Sequence, residues 1–452
     1  MNSQTVLNRP NAPSIAPSIA PSIAPSIAPN MPLYAPFSRI IGKNNAPQSD
    51  RKQLPEVLFV TSYPSRECGI ATYSQDLLKA LNNKFNDSFS LKVCAVECDN
   101  TPRNYPKEVD FVLNTNQKSK YFTLLNRINT DKNIKLVLIQ HEFGLYEQAN
   151  SVDFLQFIYS INKPIVLVFH TVLPNPDAVF QTKVKRIAAA CASIIVMTRN
   201  SATILGRDYG ISDTKISVIP HGTHLVPHSD KAVLKEKYGC AGRKIVATFG
   251  LINSGKCIET TLNALPDVIK SNPDILFLVI GKTHSGVVQS EGETYRQHLE
   301  SIVDALQLHN HVRFINAFLP LPDLLEYLQL TDIYLFTSKD PNQAVSGTFS
   351  YAMSCGCPII STPIPHAKEV LTDKTGIIVD FEHPQQLANA VNLLLGNDAL
   401  RQSIRINILQ EMAATAWENS AIAHALLLQK VIESTEPRAT VAQSTPSVFM
   451  LK

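Results

Sequence analysis

The 452-residue chain predicts two successive α/β units, each built on a parallel sheet, with polar segments at both ends. Three observations carry that fold class. The length exceeds that of one ordinary domain. The 44% of hydrophobic residues is enough to fill two cores. Short β-branched runs alternate with amphipathic stretches, as in βαβ units, and the pattern restarts after Pro220-His221-Gly222.

In the first unit, Val57–Thr61 reads as a strand and Ala71–Leu81 as the helix behind it. Leu91–Val96, Leu136–Gln140, Ile165–Phe169, Ile194–Met197 and Ile216–Val218 read as further strands. The second unit opens with the strand Ile245–Phe249, the helix Ile258–Ile269 and the strand Ile275–Ile280. The helix Tyr295–Ala305, the strand Val312–Ile315, the helix Leu321–Leu328 and the strand Ile333–Phe336 follow. The helix Gly347–Ser354 and the strands Ile359–Ser361 and Gly376–Val379 complete it. Residues 13–28 are four copies of Pro-Ser-Ile-Ala, in which regular proline blocks helix and small residues build no core. Residues 1–52 are therefore expected to be a disordered tail, as is the Ser/Thr/Pro-rich segment 434–452. The first α/β domain is placed at 53–228 and the second at 229–412.

Composition narrows the function. A net charge of +3, from 41 basic and 38 acidic residues, without a basic cluster or aromatic platform, argues against nucleic acid as a partner. The eight cysteines include no C-x-x-C pair, and Cys355 and Cys357 have no partners at zinc spacing, so they read as small buried residues of a reducing compartment. No charged segment followed by an apolar run opens the chain, and no run approaches the ~18 apolar residues of a membrane span. A cytoplasmic protein is expected, with peripheral contact at a membrane face left open.

Open α/β sheets bind ligands at the carboxyl ends of their strands, so the functional residues are expected just after the strands. The first strand leads into Cys68-Gly-Ile-Ala-Thr72, where Gly69 precedes a helix whose free N–H groups suit an anion or sugar hydroxyls. A tight turn that merely needs glycine is the plainer reading of Gly69, and G-x-G-x-x-G is absent. Two later strands end in Gln140-His141-Glu142 and Phe169-His170-Thr171, so two histidines could face one cleft, or serve only as structural hydrogen-bonders. The zinc pattern H-E-x-x-H fails because position 145 is Leu. The second unit opens with Gly250-Leu-Ile-Asn-Ser-Gly-Lys256, the spacing of a phosphate loop, but Cys257 stands where a magnesium-binding Ser or Thr would be. Lys256 can neutralise phosphate without a metal, or be an ordinary solvated lysine. Ser346-Gly347-Thr348 opens a helix with hydroxyls and N–H groups available to phosphate, or simply caps it.

Taken together, these residues resemble the retaining GT-B glycosyltransferases, specifically glycosyltransferase family 4 (glycosyl transferases group 1). The segments that carry the resemblance are Gly69–Thr72, Phe169-His170-Thr171, Val218–Gly222, Phe249-Gly250 through Lys256, and Tyr351–Pro358, in that order across residues 55 to 430. The resemblance implies two Rossmann-like domains facing across a cleft, with residues 413–433 as a helix, beginning near Trp417, that crosses back onto the first. It implies a nucleotide-diphosphate sugar donor, GDP-mannose or UDP-glucose, a saccharide or glycolipid acceptor, and no metal or other cofactor. On that reading Lys256 contacts the diphosphate, and Ser346, Gly347 and Thr348 cradle phosphate and hexose. His170 sits beside the transferred sugar, while Gly69 and Gly250 line the donor side. Ile70, Thr72, His141 and Glu142 fall on the acceptor side.

Two departures from the family pattern stand out. The family often carries two glutamates eight positions apart, where this chain has Gln343 and Tyr351. A basic residue often follows the glycine of the second domain's first strand, where this chain has Leu251. A subset with Gln and Ser-Gly-Thr at these places matches best, since an amide can both donate to and accept from sugar hydroxyls. The missing glutamates leave a non-catalytic GT-B protein that binds nucleotide sugar or a partner as the alternative, with a phosphorylase using inorganic phosphate as a third reading.

Overall fold

A computed structural model describes residues 54–99, 101–146 and 151–434 of the chain. The expectations for residues 1–52 and 435–452 lie outside the described residues.

The first lobe is a seven-stranded sheet of β1 (Glu56–Thr61), β2 (Ser90–Glu97), β3 (Val109–Asn114), β4 (Ile134–His141), β5 (Ile165–Phe169), β6 (Ser193–Val196) and β7 (Ile216–Val218). Its order is β3-β2-β1-β4-β5-β6-β7 and every pairing is parallel. Val57 stands opposite Leu91 on one side and Leu136 on the other. The second lobe is a six-stranded parallel sheet of β8 (Lys244–Phe249), β9 (Ile275–Ile280), β10 (Val312–Ile315), β11 (Ile333–Phe336), β12 (Ile359–Ser361) and β13 (Gly376–Ile378), in the order β10-β9-β8-β11-β12-β13. These sheets and their helices are the two parallel α/β units that the alternating pattern predicts, in the Rossmann-like form that the resemblance implies.

Central strands such as Ile165–Phe169 and Ile275–Ile280 are apolar at every position because helices cover both faces of a parallel sheet. β3 was not anticipated. As an edge strand its burial alternates, and the polar Asp110 within it pairs with Lys92 of β2 at 3.0 Å, so its apolar signal is diluted.

Two passes of chain join the lobes. The first runs through Gly222 and Thr223, the second through Thr415 and Trp417. Thr223 N–H donates to the Thr415 carbonyl and Trp417 N–H to the Thr223 carbonyl, both at 2.9 Å, while the Thr223 hydroxyl donates to the Met412 carbonyl at 3.0 Å. The helix Trp417–Ser434 then lies on the first lobe, burying Trp417, Ala421, Ala425 and Leu428 with Tyr73, Leu77 and Leu81 of the helix Gly69–Phe85. The spacing of four and three residues puts those side chains on one helical face, and the two alanines let the helices approach closely. Gly222 is required at the crossing: a Cβ there would lie 2.0 Å from Trp417 Cδ2.

Gly222→Ala is therefore expected to lower stability by about 1–3 kcal/mol through overpacking. Trp417→Ala should cost about 3–5 kcal/mol through the cavity it leaves. Because the second change removes the first clash, the double variant should be less destabilised than the sum, measured by urea denaturation; strict additivity would show that the two residues do not press on one another.

Candidate functional site

The two sheets place their strand order reversals between β1 and β4 and between β8 and β11, where open α/β sheets bind ligands. The chain segments that leave β8 and β11 build a cavity of about 180 Å³ lined by Thr248, Asn253, Lys256, Thr337, Asp340 and Gln343, among others. Lys256 ends a one-turn 3-10 helix, Ser254–Lys256. That turn is held by Thr337 Oγ1, which donates to the Lys256 carbonyl at 2.9 Å, and by Lys339 N–H, which donates to the Gly255 carbonyl at 3.0 Å. The Lys256 ammonium lies 3.4 Å from the Phe249 carbonyl and 6.0 Å from the Phe336 ring centroid. Burial pulls its pKa down to about 8. A partly desolvated ammonium of this kind gains strongly from an anionic ligand.

Cys257 follows directly in a left-handed conformation at φ 49°, and its thiol turns inward to Thr260 Oγ1 at 3.1 Å. The position that would carry a magnesium-binding hydroxyl in a phosphate loop is thus inside the core, 1% exposed.

Two glycines shape the same corner. Gly250 has φ 122° and a Cβ on it would approach Lys256 Nζ and Thr348 Cγ2 at 2.9 Å. Gly281, with φ 137°, lies so close that its Cβ would fall 2.0 Å from the Gly250 carbonyl oxygen. Only glycine adopts such angles freely, and only glycine lets the ends of β8 and β9 touch. Sequence reasoning found Gly250 and missed Gly281, although both follow an apolar strand.

Ser346 precedes the helix Gly347–Ser354, which has neither a side-chain cap nor an acidic residue in its first turn. Its N-terminal N–H groups are available to a ligand. Ser346 and Thr348 hydroxyls lie 3.0 Å apart, and Ser346 N–H donates to His366 Nδ1 at 3.2 Å. Gln343 lines the cavity beside Asp340. The residues expected on the donor side of the second lobe, Gly250, Lys256, Gln343, Ser346, Gly347 and Thr348, are thus gathered at one corner of it.

The first lobe contributes three strand ends. Gly69 and Ile70 start the helix Gly69–Phe85 after Cys68, whose thiol caps the Ala71 N–H, and space above Gly69 is open. Thr72 turns its hydroxyl back to the Cys68 carbonyl at 3.2 Å. His170 Nε2 lies 2.7 Å from Gln140 Oε1, so Nε2 carries the proton and Nδ1 remains an acceptor. Burial, with His221 nearby, holds the His170 pKa near 3, so the ring is neutral. Tyr73 touches His170 and His221, each at 5.1 Å between ring centroids, and a Cβ on Gly347 would lie 3.2 Å from His221 Nε2. His170 and the start of the helix Gly347–Ser354 are therefore joined by a short run of ring contacts.

His141 departs from its expected acceptor-side place. Strand side chains alternate faces, so while Gln140 reaches His170, His141 turns into an aromatic cluster with Phe143, Tyr146, Phe154 and Phe169 and is 1% exposed. Burial drops its pKa to about 3. Glu142 is occupied locally, accepting from Phe143 N–H at 3.0 Å and from the Thr171 hydroxyl at 2.7 Å, and so braces the two strand ends.

Several side chains span the cleft. Glu67, two residues before Gly69, pairs with Lys282, which follows Gly281. Asp76 is 6% exposed and accepts from the Tyr351 hydroxyl at 2.5 Å and from His224 Nε2 at 3.2 Å. Tyr351, at the position of the family's second glutamate, thus serves as a bridge between lobes. Glu369 accepts from the N–H groups of Arg199 and Asn200 at 2.9 and 3.2 Å, at the start of the helix Arg199–Tyr209. Asp76 was missed in the sequence; its signal is a carboxylate on the apolar face of an amphipathic helix. All eight cysteines are free, and only Cys68 is not fully buried. Among the described residues no helix is long and apolar enough to cross a membrane.

Known proteins resemble this chain in part of its sequence and in its fold. Residues 230–410 match the family model described as Glycosyl transferases group 1. The chain is 31% identical over 173 residues to Spore coat protein SA of Bacillus subtilis (strain 168), covering 38% of this chain and 44% of that protein. It is 24% identical over 238 residues to D-inositol 3-phosphate glycosyltransferase of Corynebacterium urealyticum, covering 50% of this chain and 54% of that protein. The alignments thus span about half the length of these curated relatives. Among solved structures, Anabaena HepE in complex with UDP superposes with a TM-score of 0.65 at 17% identity, covering 83% of this chain and 100% of that one. The two lobes have the GT-B fold, and residues 230–410, which build the second of them, match Glycosyl transferases group 1.

Proposed function

We propose that this chain is a retaining hexosyltransferase. It moves mannose or glucose from GDP-mannose or UDP-glucose to a hydroxyl of a saccharide or glycolipid acceptor, without a metal. The observation that carries the proposal is the desolvated Lys256 ammonium, set at the β8/β11 switch point beside the uncapped N-terminus of the helix Gly347–Ser354. Together they form a fixed positive site for a diphosphate. The name of the Corynebacterium relative supports glycosyl transfer, and the UDP held by HepE supports a nucleotide-sugar donor.

In this mechanism the bond between the anomeric carbon and the phosphate oxygen breaks as charge develops on the diphosphate. Lys256 and the helix N–H groups stabilise that charge where it forms. The acceptor hydroxyl attacks from the same face, and its proton passes to the departing phosphate oxygen, so no protein nucleophile is needed. Neutral His170 cannot be the acid; its Nδ1 accepts from a hydroxyl of the hexose, and Gln140 fixes the ring that presents it. Gln343 holds further hydroxyls, and the open start of the helix Gly69–Phe85 receives the acceptor. A non-catalytic nucleotide-sugar binder is the second reading, favoured by the engagement of Tyr351 with Asp76. Release of free nucleoside diphosphate in the presence of acceptor separates the two.

Lys256→Met should reduce kcat/KM at least about tenfold with the fold intact, since charge-assisted contacts contribute about 1.5–3 kcal/mol. The pH dependence follows from the lowered pKa. A bound diphosphate favours the protonated lysine, so nucleoside diphosphate affinity should be level below pH 8 and fall above it, by up to about tenfold per pH unit. Calorimetry between pH 7 and 9 should show this inflection in the wild type and not in Lys256→Met. An identical profile in both would remove Lys256 from the phosphate site.

Gln343→Ala should slow sugar transfer by about 1–3 kcal/mol in the transition state while leaving nucleoside diphosphate affinity unchanged. Gln343→Glu should retain activity, because a carboxylate accepts from the same hydroxyls. Transfer by Gln343→Ala at the wild-type rate would place the sugar elsewhere.

Excess EDTA should leave transfer intact. Cys257 faces the core, and Asp340 is the single carboxylate among the residues that line the cavity. Loss of activity restored by magnesium or manganese would overturn the metal-free mechanism.

A further inference from the structure

On the side of the second lobe where the first inter-lobe pass ends, two adjoining cavities of about 250 and 230 Å³ share His228 and Arg405. Lys231 and Arg401 line the larger one, with Asp332 as its single carboxylate. That carboxylate is already committed: it accepts from Lys231 at 3.0 Å, Lys235 at 2.7 Å and the Ile245 N–H at 2.8 Å. Arg401 pairs with Asp398. Arg405 has no carboxylate partner among the described residues. It donates instead to the Cys355 carbonyl at 3.1 Å and to His228 Nδ1 at 3.0 Å, which leaves a guanidinium charge in a partly buried concavity without a counter-ion. With Nδ1 accepting, His228 presents Nε2–H as a further donor.

A partly desolvated cation left unneutralised is costly, and the chemistry that relieves it is an anion with several acceptor oxygens, which guanidinium groups bind in a fork. We propose that this concavity is a second anion site, distinct from the donor cavity, and that it takes a phosphate group carried by a small molecule. Arg405 and Lys231 hold the phosphate, while His228 and Arg401 line its entrance. The site touches the catalytic corner through one element. Ser354 and Cys355 line the smaller cavity, and they close the helix Gly347–Ser354 whose other end carries Ser346 and Thr348. Ser354 Oγ also accepts from the His224 N–H at 2.9 Å, so the same end holds the pass that joins the lobes. Occupancy of the site therefore bears on the helix and on the crossing together.

The test uses the full chain with Lys256→Met, so that phosphate bound at the donor cavity does not contribute, and inorganic phosphate as the probe. Isothermal titration should show one saturable site that persists with Lys256→Met, and Arg405→Gln should weaken it at least about tenfold. Arg405→Gln keeps a donor for the Cys355 carbonyl, and an unchanged melting temperature would confirm the fold. A crystal soaked in tungstate should show its anomalous peak between Arg405 and Lys231. Phosphate binding that is indifferent to Arg405→Gln, or that vanishes with Lys256→Met alone, would overturn the proposal.

Discussion

The crossing of the chain between its lobes is the constraint on which the rest of this structure depends. Thr223 donates its N–H to the Thr415 carbonyl and accepts from the Trp417 N–H where the two passes meet, and Gly222 lies beneath the indole with no room for a side chain. That contact sets how near the carboxyl edges of the two sheets come. Tyr73, one turn into the first helix, meets Trp417, His221 and His170 from there, so the crossing also positions the rings at the cleft. Asp76 adds a polar tie, accepting from Tyr351 of the second lobe and from His224 of the crossing itself. A buried carboxylate with both partners in place is satisfied; with either removed it would be left desolvated.

Within the cleft, electrostatics are arranged by desolvation more than by pairing. His170, His221 and His366 all have burial-lowered pKa values, about 3 to 4, so the imidazoles are neutral donors and acceptors. Lys256 keeps a charge at neutral pH because its pKa falls only to about 8. The cavity thus offers one positive charge together with the dipole of the helix Gly347–Ser354, a combination that favours a diphosphate over a neutral sugar.

The residues that the sequence identified in the site were those at strand ends, where the rule for open sheets directs attention. Gly250, Lys256 and Ser346–Thr348 come together because β8 and β11 are neighbours at the order reversal. His141 followed the same rule and went elsewhere, because adjacent residues at a strand end face opposite sides and it is Gln140 that reaches His170. Gly281 was invisible for a different reason: its need for glycine comes from the Gly250 carbonyl, which is 31 positions away in sequence and in contact only through the pairing of β8 with β9.

The sequence by itself determined the alternation of strands and helices, the restart after Gly222, and the glycine-bearing turns. These are local properties, set by β-branched runs, helical periodicity and backbone freedom over a few residues. The tertiary structure alone decided which side of each strand end faces the cleft, that Tyr351 would bridge to Asp76, and that Cys257 would turn into the core. It also decided that Arg405 would sit in a concavity where the one carboxylate, Asp332, is taken up by Lys231 and Lys235. Each of these depends on atoms brought together from far along the chain, where packing density, desolvation and hydrogen-bond satisfaction, rather than local preference, choose the neighbour.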